Sequence, residues 1–90
     1  MNLDRPYRLA PGVALRPERF GGLVYRYANR RLFFLHSHPL VALVSELDGT
    51  RPLAQTLDAF LSARDLPGSV REPLIKALAR LQHLEIIDSP

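Results

Sequence analysis

Between Val13 and Leu35 apolar residues recur at every second position, and from Leu40 onward they recur at every third and fourth. The first spacing predicts strands and the second predicts helices. "VALR", Val13 to Arg16, turns Val13 and Leu15 inward and Ala14 and Arg16 outward, and Pro17 stops the strand because it has no N–H for a ladder. "GGLVYRYANRRLFFL", Gly21 to Leu35, predicts a hairpin turning on Asn29-Arg30, since asparagine tolerates a positive φ. That turn sets Ala28 opposite Arg31, Tyr27 opposite Leu32, Tyr25 opposite Phe34 and Val24 opposite Leu35. Leu23, Tyr25, Tyr27, Leu32 and Phe34 then share a continuous apolar face, expected to lie under the helices. Val24, Arg26, Ala28, Arg31, Phe33 and Leu35 share the other face, expected to look toward partners, with Arg26 lying across Phe33.

After His38-Pro39, Leu40, Leu43, Val44 and Leu47 trace one helix face, with Pro39 in the first turn and Asp48-Gly49 at the end. Leu53, Leu57, Phe60 and Leu61 trace a second helix that ends at Asp65 to Gly68. Ser69 and Glu72 predict a capping box for a third, with Pro73 in its first turn, Leu74, Ile75, Leu78 and Leu81 on its apolar face, and an end near His83. Leu84 to Asp88 reads as a short strand or an extended tail. The first twelve residues, punctuated by Pro6, Pro11 and Gly12, read as an irregular arm that orders only in a complex. The whole, residues 1–90, reads as one α+β domain: a three-stranded antiparallel sheet followed by three helices segregated to one side.

Composition narrows the chemistry. The chain has no cysteine, which removes disulfides and thiolate sites. Its longest apolar run, Leu40 to Val44, is far short of the roughly 20 residues of a membrane span, and its start lacks the apolar region of a secretory signal. A cytoplasmic protein without membrane contact is the expectation. The net charge is +3, with arginine supplying every cation except Lys76. The arginines are scattered from Arg5 to Arg80 among acids, which argues against a nucleic-acid footprint. His36 and His38 suggest a metal pair, but only distant His83 and scattered carboxylates remain to complete a shell, so no metal or cofactor is expected. Ser37 between them has no base oriented toward it, because adjacent strand residues point to opposite faces. No catalytic set emerges, and the chain is not expected to be an enzyme. Lys76, Arg80 and His83 form a basic ridge on the third helix.

The third strand, "RLFFL", is apolar on both faces and ends a meander, so unless Val13 to Arg16 covers it, its backbone groups are unpaired. An open edge suits strand addition by a peptide. Backbone pairing over five residues contributes about three or four hydrogen bonds at about 1 kcal/mol each, whereas micromolar affinity needs about 8 kcal/mol. Apolar anchors of about 1.5–3 kcal/mol each would supply the remainder, given a groove to receive them. The candidate peptide-binding residues are Arg31, Leu32, Phe33, Phe34 and Leu35 on the strand, and Leu74, Ile75 and Leu78 on the third helix. Cover by the chain's own tail at Glu85 to Ile87, and pairing of two copies through the edge, are the structural alternatives. A winged-helix DNA-binding protein is the alternative of another class, although Pro73 interrupts the arginines of its reading helix.

The run Val13 to Gly49, with "LRPE", Phe20-Gly21, "RRLFFL" and the apolar helix ending in Leu47, resembles the mycofactocin precursor-peptide chaperones, small relatives of the PqqD proteins of pyrroloquinoline quinone biosynthesis. The resemblance implies a winged-helix-like peptide-recognition element. It implies that the leader of a precursor peptide pairs with the third strand and lies against the third helix, here Arg31 to Leu35 and Arg71 to Leu78. It also implies a radical S-adenosylmethionine maturase as partner, with no chemistry performed by the chaperone itself.

Overall fold

A computed structural model describes all 90 residues. Strand β1 (Arg8–Leu9) is followed by β2 (Val13–Glu18), β3 (Gly21–Arg26), β4 (Arg31–Leu35), α1 (His38–Ser45), α2 (Leu53–Ala63), α3 (Arg71–His83) and β5 (Ile87–Asp88). The α+β class is as expected: β2, β3 and β4 make an antiparallel sheet in that order, with three helices after it. A second, two-stranded sheet pairs β1 with β5.

That second sheet corrects the expectation of an irregular arm. The first twelve residues are mostly without regular structure, yet they are built into the fold. Tyr7 is buried in the core, and Leu3 and Arg5 offer their carbonyls to the first amides of α2, Ala54 and Leu53, at 2.9 Å each. Tyr7 accepts from the Gly49 amide at 3.0 Å, and Ala10 donates to the Ile86 carbonyl at 2.9 Å. Pro52 at the α2 N-cap supplies no side-chain acceptor, so the arm's carbonyls take up amides that would otherwise lack partners.

The hairpin departs from expectation in two respects. Its innermost pair is Arg26 with Arg31, so the connection is the four residues 27–30 rather than Asn29-Arg30 alone. Arg30, not Asn29, takes the positive φ, at 57°, while the Asn29 side chain accepts from the Arg31 amide at 3.1 Å. The pairing of Tyr25 with Leu32 and Leu23 with Phe34 is therefore slipped by two residues from the expected register. A two-residue slip preserves which residues share a face.

The identity of the core face is the opposite of that expected. Val24 is 0% exposed, and Phe33 and Leu35 pack against the core cluster. Tyr27, Phe34 and Leu32 are 62%, 59% and 51% exposed. Two neighbours decide this. Leu15 of β2 stands opposite Val24, so the inward side of β2 is the Val24 side. Gly22, on the same side, lies so close to α1 that an added Cβ would sit 2.7 Å from a Val41 methyl. A helix can approach glycine and valine closely, whereas a face of tyrosine and phenylalanine would hold it away.

The core joins this face to Leu43, Leu53, Leu57, Phe60, Leu78 and Ile86, all 0% exposed. Arg26 closes its end: its guanidinium donates to the Leu84 carbonyl, lies 3.9 Å from the Glu85 carboxylate and stands over the Phe33 ring at 5.7 Å. The expected Ser69–Glu72 capping box does not form. A 3₁₀ turn at Gly68–Val70 leads into α3, and no side chain caps it.

Candidate functional site

Strand β4 pairs with β3 on one side and with no strand on the other. β2 lies across β3 from it, and the tail goes to β1 instead, so neither covers the edge. The exposed row is short, five residues, and it opens beside α3.

Two hollows lie along that helix. One, of about 230 Å³, is bounded by Phe33, Phe34 and Leu35 of β4 and by Ala77, Arg80, Leu81 and Leu84 across from them. The other, of about 250 Å³ and almost wholly apolar, lies between Ser37, Pro39 and Leu40 at the start of α1 and Val70, Pro73, Leu74 and Ala77. Leu40 and Ala77 line both, so the two hollows meet there and form one groove. Ala77 keeps it open, because a larger residue would fill the junction.

The strand half of the candidate site is thus assembled, with Phe33 and Leu35 turned to the groove and core, and Leu32 and Phe34 turned outward. Arg31 is exposed, its guanidinium 5.4 Å from the centre of the Phe33 ring. The helix half is displaced from expectation. Leu74 lines the groove, but Leu78 is 0% exposed and belongs to the core. Ile75 packs against the core and borders neither hollow, and Arg71 is held by Asp58 at 3.4 Å. The wall is built instead from Val70, Pro73, Leu74, Ala77, Leu81 and Leu84. These recur at helical spacing beside the Leu74–Leu78–Leu81 stripe, and the small residue in their midst was the signal available in the sequence.

Cations lie along the groove. Arg80 borders it, and Lys76, on the same side of α3, is exposed, as is His83. The histidines that suggested a metal site have other surroundings. Ser37 is the N-cap of α1, its hydroxyl accepting from the Leu40 amide at 3.2 Å, which satisfies one of the helix's free donors. His38 is the helix's first residue, and the exposed His36 ring lies 5.3 Å from Phe20.

Comparison with known proteins identifies relatives of this chain. Three curated relatives match over 44 residues: the peptide chaperone MftB of Mycobacterium tuberculosis is 48% identical over that length, that of Mycobacterium ulcerans 46% and that of Mycolicibacterium smegmatis 43%. Each match covers 49% of this chain and 40–43% of the relative, so the aligned part spans less than half of those proteins. No solved structure matches. The profile of the peptide chaperone MftB family matches residues 6–88, from the arm that feeds the core through β5, and the chain belongs to that family.

Proposed function

We propose that this chain is a peptide chaperone that binds the leader of a ribosomally made precursor peptide as a fourth strand on β4 and presents it to a radical S-adenosylmethionine maturase. The single observation that carries the reading is the open β4 edge beside an apolar groove that shares Phe33, Phe34 and Leu35 with it. The added strand would hydrogen-bond to β4, its inward side chains would enter the two hollows, and an acidic residue among them would meet Arg80 or Lys76. Three or four backbone bonds at about 1 kcal/mol and two anchors at about 1.5–3 kcal/mol reach the scale of micromolar binding. The chain supplies recognition and leaves the chemistry to its partner. Family membership supports the peptide as ligand. The cytoplasm, where precursors are made, is the proposed location.

The test is an amide NMR titration of the labelled chain with the leader half of its precursor at two salt concentrations. Saturable shifts at Arg31 to Leu35 and along Val70 to Leu84, little changed by salt, are the expected outcome. A response to added duplex DNA that disappears at high salt, with none to the leader, would refute the reading.

A further inference from the structure

The face of the β2–β3–β4 sheet turned away from the helices has no cover in this chain. Leu23 and Tyr25 lie at its centre, and Phe20, at 40% exposure, joins Tyr27, Leu32 and Phe34 around them. Between Ala14, Leu23, Tyr25, Tyr27 and Leu32 this face has a shallow hollow of about 300 Å³. A small monomer rarely leaves so much contiguous apolar surface exposed without a use for it.

The charges around it are one-sided. The segment Val13 to Leu35 holds five arginines and a single acid, Glu18. That acid is already occupied by Arg16, on the same face, at 2.6 Å. Arg19 and Arg30 are exposed at the rim, and neither has a carboxylate within 4.0 Å.

We propose that this outward sheet face docks the modifying enzyme, through an enzyme surface that is apolar at its centre and acidic at its rim. The proposal rests on the reading given under Proposed function, and charge complementarity selects the occupant. A second copy would set Arg19 and Arg30 against their own counterparts with no free acid to answer them. A leader strand occupies the edge of the sheet and leaves this face free. Single-stranded nucleic acid needs open ring faces on which to stack. Here the rings pack on one another, Tyr25 edge-on to Tyr27 at 4.8 Å and Phe20 tilted against Phe34 at 5.8 Å, with leucines between.

The experiment is isothermal titration of the full chain with the purified modifying enzyme, and separately with the leader peptide. Two variants are compared with wild type: Leu23→Glu with Tyr27→Glu at the centre, and Arg19→Glu with Arg30→Glu at the rim. Each is expected to weaken enzyme binding at least about tenfold, the loss of roughly one good anchor. Leader affinity should stay within about twofold, and only enzyme binding should weaken further with salt. Should the central pair unfold the chain, the rim pair, at two exposed positions, carries the test alone. Unchanged enzyme affinity in a folded variant, or wild type that does not bind the enzyme, would overturn the proposal. So would a wild-type dimer, or binding of a single-stranded oligonucleotide, that the variants abolish. Loss of leader binding by wild type, with variant-sensitive enzyme binding retained, would instead refute the strand-addition reading and leave this docking face standing.

Discussion

Ala77 is the position at which strand addition meets its sharpest test. Its methyl group borders both hollows, about 230 and 250 Å³, at the point where they join. Ala77→Phe would direct a ring into that junction and deny it to the ligand. Each apolar anchor excluded removes about 1.5–3 kcal/mol, and 1.4 kcal/mol is a factor of ten, so one lost anchor weakens binding by about tenfold to a hundredfold. The fold should hardly respond. The substitution fills open space rather than emptying the core, and the helix-propensity cost of phenylalanine is only about 0.5 kcal/mol. Fluorescence anisotropy with a labelled leader peptide measures the affinity, and thermal denaturation monitors the fold. Affinity within twofold of wild type, in a variant that melts at the same temperature, would refute the groove as the anchor site and leave at most the backbone edge.

Four further outcomes follow from the geometry. Phe33→Ala should destabilise the chain by about 2–3 kcal/mol in urea, below the full cost of a buried phenylalanine because the ring is half-buried, while Phe34→Ala should cost under about 1 kcal/mol; the reverse order would restore the opposite face as the core. Gly21→Ala should cost about 2 kcal/mol or more, since φ is 141° and an added Cβ would fall 2.0 Å from the Leu35 carbonyl oxygen; native-like stability would show that this turn relaxes freely. Asp48 accepts from the Thr50 and Arg51 amides at 2.9 and 3.2 Å, and these bonds, Thr50's first, hold its carboxyl below the usual 3.8. Its contribution is therefore present above pH about 3.8 and falls as acid protonates it in the folded state, so the stability gap between wild type and Asp48→Asn should narrow below that pH, and parallel curves would contradict the assignment. Two copies pairing through β4 would bring Lys76 and Arg80 of each toward the other's, so sedimentation of the free chain should give a monomer, and a stable dimer would refute that.

The helices were legible because a 3.6-residue period needs only local information. Leu53, Leu57, Phe60 and Leu61 mark α2, and all four are buried. Membership of the sheet's two faces was legible for the same reason, since it depends on alternation alone. Which face lies inward was not, because that depends on contacts between distant elements: Leu15 across from Val24, and Val41 over Gly22. A count of apolar residues favours the wrong side, since the tyrosines and Phe34 outnumber Val24 and its neighbours. The arm's place in the fold was not legible because the hydrogen bonds that tie it to Gly49, α2 and Ile86 join residues more than forty positions apart, and no local pattern announces such pairing. The β4 edge was legible in part. Alternation marks an apolar strand at the end of the meander, but the wall across from it differs from expectation by several residues, because Leu78 is fully buried and Ala77, a small residue beside the leucine stripe, borders the groove.

The inversion of the faces changes what the sheet can do. With Phe33 and Leu35 directed inward, an added strand places alternate side chains against α3 and the remainder on the outward face, beside Leu32 and Phe34. A leader bound at the edge would therefore widen the surface proposed for the enzyme. An enzyme seated across that surface would contact both chains, and it would bind the loaded chaperone more tightly than the empty one. Linkage then requires the converse, that the enzyme tightens the leader by the same factor. No conformational change is needed for this coupling, because the composite surface exists only when the fourth strand is in place. A chain of this size could thus favour delivery of bound leader over empty encounter through the geometry of one small sheet.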